Sequence, residues 1–173
     1  TTSPADITGG AGIDTITAAG GGGSITGGAG ADIIKGGASD DTLVYPTIGS
    51  LFDTDSNALV DSISGGGDAF STSTPDKGDV LKIGGASTAF TIANDYIWSR
   101  ATGVETILVN DLSNVANDVA GDVSITFHAD YAQNNITIDG SALDAGEVLT
   151  VDASANIADD TTTTANEAEA ISV

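Results

Sequence analysis

Between residues 5 and 44 an aliphatic side chain returns at every ninth position: Ile7, Ile16, Ile25, Ile34 and Leu43. Cut from Gly9, the stretch falls into four lines, GGAGIDTIT, AAGGGGSIT, GGAGADIIK and GGASDDTLV. A second column, six residues into each line, reads Asp14, Gly23, Asp32 and Asp41. Internal repetition at a fixed period is the signature of a repeat architecture. Each line predicts a tight glycine turn, because glycine reaches positive φ without steric cost. A minimal strand follows, with one aliphatic side chain inward and its neighbours outward. Two lines make one flattened coil, with a turn on each edge and two short strands facing one another.

Past residue 44 the rhythm loosens. Residues 45–62 hold no repeat and read as an excursion. Within them Asp53-Thr54-Asp55-Ser56-Asn57 lacks the glycine and the later glutamate of an EF-hand, so it reads as a loop. A partial turn, Gly65-Gly66-Gly67-Asp68, precedes an aliphatic strand, Asp79-Val80-Leu81-Lys82-Ile83. Alternating runs then recur near 105–111, 122–129, 134–140 and 147–153 and at the end, with turn residues between them, as half-buried strands do. Residues 159–170 are acidic, polar and of low complexity, and read as a loop. The pattern predicts an all-β chain in three stretches: 1–44, 45–90 and 91–173. It opens and closes in mid-pattern, as an internal piece would.

Composition explains why so thin a pattern needs help. Aromatic residues make up 5% of the 173, there is one Trp and no Met, and 23 residues are glycine. Large side chains are too few for a thick core. There are 25 acidic residues against 4 basic ones, a formal net charge of −21. Aspartate supplies 21 of the acids, and this short carboxylate favours turns and hard cations. Such charge excludes nucleic acid and anionic membrane surfaces as partners and points to cations. Without cysteine there are no disulfides or thiolate metal sites. No apolar run approaches a membrane span and no signal-peptide leader is visible.

The four nonapeptides resemble the calcium-binding GGxGxDxUx repeat of the RTX (repeat-in-toxin) family. The resemblance covers residues 5–44 and implies a parallel β-roll, an RTX β-solenoid, whose turns eighteen residues apart stack and share a calcium ion. The turn Gly9–Asp14 would then stack on Gly27–Asp32. Asp14 and Asp32 would give carboxylates, and the backbone at Gly10, Ala11, Gly12, Gly28, Ala29 and Gly30 carbonyls. The opposite edge pairs 18–23 with 36–41. There Ala18 and Ala19 replace glycines and Gly23 replaces the acid, so a calcium held through Asp41 would be weaker or absent. Asp40 reads equally as a solvated turn residue. "KGDVLKI" (77–83) is similar to the segment that closes such rolls, which makes Asp68, Asp76 and Asp79 further candidates; acidic turns without metal are the alternative.

"GVETILV" (103–109) and "ITIDGSAL" (136–143) are similar to segments that alternate with RTX blocks in bacterial S-layer and large surface proteins. The C-terminal stretch is therefore expected to be a second, irregular β-solenoid or small β-sandwich. The function implied is a calcium-stabilised structural module of a secreted or cell-surface protein. Several Ca²⁺ ions would drive its folding, and it would associate with itself or with other modules of the same large protein. The family commonly leaves the cell by type I secretion, through a C-terminal signal that this ending does not display. An adhesin module binding a carbohydrate or host partner is the alternative, with Tyr96 and Trp98 as its aromatic platform. An accessory domain of a secreted hydrolase is the third reading.

No catalytic residues are expected. His128 is the single histidine and reads as a surface residue of a strand; HExxH and a nucleophile elbow are both missing. Asp139 and Asp152 read as strand-end turn residues.

Overall fold

The computed structural model describes residues 6–53, 55–56, 58–67, 78–84, 90–92, 100–110, 123–126, 136–143 and 148–152. The nonapeptides form β1 (Ile7–Ala11), β2 (Thr15–Thr17), β3 (Gly23–Ala29), β4 (Ile33–Lys35) and β5 (Asp41–Tyr45). Successive strands alternate between two sheets. β1, β3 and β5 pair in parallel with Ile7 opposite Ile25 and Ile25 opposite Leu43. β2 and β4 pair in the second sheet with Ile16 opposite Ile34. Each step is the eighteen residues that two nonapeptides supply.

An excursion follows: helix α1 (Ile48–Leu51) and the antiparallel pair β6 (Phe52–Asp53) and β7 (Ala58–Leu59). The chain then rejoins the same two sheets. β8 (Ser62–Ser64) pairs with β4, and β9 (Val80–Ile83) with β5. β11 (Ala101–Thr102) extends β8, β12 (Thr106–Asn110) extends β9, and β14 (Thr137–Ala142) extends β12. The six-stranded sheet thus runs β1-β3-β5-β9-β12-β14 and the four-stranded sheet β2-β4-β8-β11. β10 (Phe90–Ile92), β13 (Val123–Thr126) and β15 (Leu149–Asp152) form a third parallel sheet.

All-β architecture with parallel sheets and almost no helix is therefore the observed class. The boundary read at residue 91 does not interrupt the larger sheet. β12 and β14 continue what the nonapeptides begin, while β13 and β15 join β10 elsewhere. The cause is local: Asp79-Val80-Leu81 and Glu105-Thr106-Ile107 repeat the order of acid, intervening residue and buried aliphatic of Asp41-Thr42-Leu43, so they take the same register.

The core is a pair of aliphatic columns. Ile25, Leu43, Leu81, Ile107 and Ile138 line the larger sheet, and Ile16, Ile34, Ile63 and Ala101 the smaller; all are buried. In β2 and β4 only the middle residue is inside. The excursion adds Leu51, Phe52 and Leu59, all buried, and so supplies bulk that the repeat lacks. Among the described residues no helix is long and apolar enough to cross a membrane.

Candidate metal centre

The acids that precede the strands stack into two ladders, one on each edge. On the first, Asp14 N–H donates to Asp32 Oδ1 (2.9 Å) and Asp32 N–H to Asp61 Oδ1 (2.8 Å). On the second, Asp41 N–H donates to Asp79 Oδ1 (2.8 Å) and Asp79 N–H to Glu105 Oε2 (2.8 Å). Asp32, Asp61, Asp79 and Glu105 thus each cap the turn amide of the coil before, an amide that would otherwise lack a partner, while Asp41 Oδ2 accepts the Gly37 amide of its own turn. These bonds explain one oxygen of each of those carboxylates.

The other oxygen is the anomaly. Asp32, Asp41, Asp61 and Asp79 are no more than 1% exposed. Among the described residues no hydrogen bond reaches Asp14 Oδ2, Asp32 Oδ2, Asp41 Oδ1 or Asp79 Oδ2, all buried. A buried acceptor without a partner costs about 1–3 kcal/mol, and more when charged. Four such oxygens in a chain of net charge −21 call for a cation, a proton or a buried water.

The stacked glycines place carbonyls beside the carboxylates of both ladders. At Gly9 the position of a β-carbon is faced by Asp14 Oδ2 (2.7 Å) and by the Gly27 carbonyl. At Gly36 it is faced by Asp41 Oδ2 (2.9 Å) and the Gly65 carbonyl, and at Gly65 by Asp79 Oδ2 (2.5 Å) and the Gly103 carbonyl. Gly27 is faced by two carboxylates, Asp32 Oδ2 and Asp61 Oδ2 (3.1 Å). Farther along the first turn, Gly28 and Gly30 have φ of 109° and 131°, and a β-carbon on either would strike the Gly10 or Gly12 carbonyl.

Among the described residues no three His, Cys, Asp or Glu side chains converge on one point. A cation held here would take one or two carboxylates and complete its shell with backbone carbonyls and water. That donor set, all hard oxygen, fits calcium, which takes six to eight oxygens in flexible geometry.

Asp61 solves the same problem differently. Its Oδ2 accepts the Tyr45 hydroxyl (2.7 Å). Burial, together with the Asp61 charge, pushes the Tyr45 phenol far above its ordinary range, so it remains a donor. Burial also raises the Asp61 carboxyl, opposed by the Asp32 amide, the Tyr45 hydroxyl and the Arg100 charge. Tyr45→Phe is expected to lower stability by about 1–3 kcal/mol by stripping Asp61 Oδ2 of its donor; urea denaturation at fixed calcium measures it.

Burial, reinforced by the charges of Glu105, Asp41 and Asp40, pushes Asp79 from 3.8 up to about 7. The folded chain therefore holds this proton more tightly than the unfolded chain. The associated stability is complete below the unfolded value and is lost as pH rises through 7. In metal-free buffer the melting temperature is expected to fall between pH 5 and pH 8, and calorimetry across that range tests the sign.

The structure brings together most of the residues that the repeat singled out. Gly10 lies opposite Gly28 and Ala11 opposite Ala29, with Asp14 bonded to Asp32. The Ala29 carbonyl accepts the Gly12 amide (2.7 Å), which leaves it one lone pair for another partner. One correction concerns the turns: β1 and β3 run on through Ala11 and Ala29. Bare glycine backbones let the two segments approach closely enough to pair, so the tight part of the turn begins later. On the second edge Gly23 lies opposite Asp41, and Ser39 Oγ donates to the Gly20 carbonyl (2.8 Å). Asp79 does join Asp41.

Asp68, Asp76, Tyr96, Trp98 and His128 lie outside the described residues. Asp53 receives the Asp55 amide (3.0 Å) and the Ser56 hydroxyl (2.8 Å), bonds that hold its carboxyl below the usual range. It closes the β6–β7 loop. Sequence reasoning missed Asp61 and Glu105. The signal was present: Asp61-Ser62-Ile63-Ser64-Gly65-Gly66 repeats the order of Asp32-Ile33-Ile34-Lys35-Gly36-Gly37 after an irregular gap. No protein-family model matches this chain, and no curated protein or solved structure matches it significantly.

Proposed function

We propose that this chain is a calcium-stabilised structural module built as a parallel β-roll. The supporting observation is the set of four buried carboxylate oxygens without a hydrogen-bond donor, repeated on both edges of the stacked coils. The resemblance of residues 5–44 to the RTX nonapeptide repeat names the cation: calcium, shared between the turns ending in Asp14 and Asp32. Without it the stacked carboxylates oppose the closure of a core only one aliphatic residue deep at β2 and β4. With it, binding energy becomes folding energy. Extracellular calcium modules have dissociation constants of about 10⁻⁴–10⁻³ M. Such a chain stays loose at cytosolic calcium and folds outside the cell, as a component of a secreted or surface-array protein of the S-layer kind would.

Circular dichroism tests the reading. Millimolar calcium is expected to convert a largely unordered spectrum to a β spectrum. Equal magnesium is expected to do little, because Mg²⁺ dehydrates reluctantly and demands near-octahedral geometry. A chain equally folded in chelator and in calcium would contradict the proposal.

A further inference from the structure

We propose that the outer edge of the first coil docks a further glycine-rich coil of the Gly-x-Gly-x-Asp type, seated on Gly10, Gly12 and Asp14. The inference rests on the β-roll reading and deepens it, naming the surface and the chemistry of the partner that fits it. The requirement comes from what each coil demands of its neighbour. Gly28 and Gly30 have positive φ and turn bare faces onto the Gly10 and Gly12 carbonyls, and the Asp32 carboxylate receives the Asp14 amide. In the other direction, the Gly27 carbonyl stands against the bare face of Gly9, as the Gly65 carbonyl does at Gly36 and the Gly103 carbonyl at Gly65. A coil thus gives the next one two carbonyls and an amide, and must itself begin with glycine to admit the carbonyl that comes back.

The first coil carries the receiving half of this contact on its outer edge. Gly10 and Gly12 have φ of 124° and 116°, in the same region as Gly28 and Gly30, yet among the described residues nothing lies within 4 Å of a β-carbon on either. No described amide donates to the Asp14 carboxylate, whose Oδ2 is buried. β1 and β2 are the end strands of the six- and four-stranded sheets, so among the described residues one backbone edge of each is unpaired. Such an edge is a template for another strand. The aliphatic columns are open at the same end: Ile16 is 8% exposed against 1% for Ile34 and Ile63, and Ile7 is only partly buried. Two bare glycine faces and a carboxylate, beside open aliphatics, fit a segment that carries Gly-Gly-x-Gly-x-Asp between two short strands. A second folded copy does not fit. Its turns at 9–14 and 27–32 are already stacked, and two copies meeting at this edge would oppose two donorless Asp14 carboxylates in chains of net charge −21.

The probe is the peptide GSITGGAGADIIK, residues 23–35 of this chain, titrated into the full chain in millimolar calcium and followed by calorimetry. Saturable one-to-one binding is expected. Gly27→Ala in the peptide is expected to weaken it about tenfold or more, because the new β-carbon would meet the Gly9 carbonyl. A chain that folds with calcium but does not bind the peptide overturns this inference and leaves the calcium-stabilised roll intact. A chain that neither folds with calcium nor binds the peptide overturns both. Binding unaffected by Gly27→Ala also overturns the inference, since close stacking of glycines would not be what is recognised. Calcium-dependent dimers in sedimentation that exclude the peptide would assign the edge to a second copy and likewise overturn it.

Discussion

Asp32→Asn is expected to stabilise this chain in chelator and to destabilise it in millimolar calcium. Asp32 is fully buried, and the substitution keeps an Oδ1 acceptor for the Asp14 amide while removing the charge. Without calcium, that charge includes an oxygen with no donor, so its removal is worth about 1–3 kcal/mol. With calcium at about 100 times the dissociation constant, the parent gains about 2.7 kcal/mol from the site, which the variant forgoes. For a chain of this size each kcal/mol moves the melting temperature by about 2–4 °C. Paired calorimetric melts in chelator and in calcium should therefore cross. A shift of the same sign in both buffers would show that Asp32 is a turn-capping residue and nothing more.

Gly36→Ala is expected to destabilise the fold by about 3 kcal/mol or more, the upper range for overpacking. Its β-carbon would collide with the Gly65 carbonyl and sit 2.9 Å from Asp41 Oδ2. Neither neighbour yields easily. The Gly36 amide is bonded to the Ser64 carbonyl (2.8 Å), and Asp41 Oδ2 accepts the Gly37 amide (2.5 Å). Gly67→Ala is the control: among the described residues nothing lies within 4 Å of its β-carbon, and it is expected to leave the urea midpoint nearly unchanged. Equal effects at the two positions would mean that close stacking of the turns does not occur in solution.

The nine-residue period made the first five strands legible, with their alternation between two sheets, because one aliphatic column fixes both spacing and face. Of the later strands, β9, β12, β13, β14 and β15 were legible as strands but not as partners, whereas β6, β7, β8, β10 and β11 lay in stretches read as loop, turn or connection. The steps between stacked acids grow from 18 residues for Asp14 and Asp32 to 29 for Asp32 and Asp61 and 38 for Asp41 and Asp79. A period search sees only the first of these. Register across an excursion is set where the chain returns, by an acid, one intervening residue and an inward aliphatic, and that short signal is common in a chain so rich in aspartate. For the same reason Asp61 and Glu105 were missed while Asp14 and Asp32 stood out. The role of Tyr45 lay beyond any local pattern, since its hydroxyl reaches Asp61 only across the core.

That stacked, buried carboxylates are neutralised by calcium is tested most directly by the unfolding free energy as a function of free calcium at fixed pH. With at least two sites binding only the folded chain, it should rise by about 2.8 kcal/mol or more per decade of calcium above the dissociation constants. Asp32→Asn should reduce that slope by about 1.4 kcal/mol per decade, the contribution of one ion. A free energy that stays flat from chelator to millimolar calcium would contradict the account.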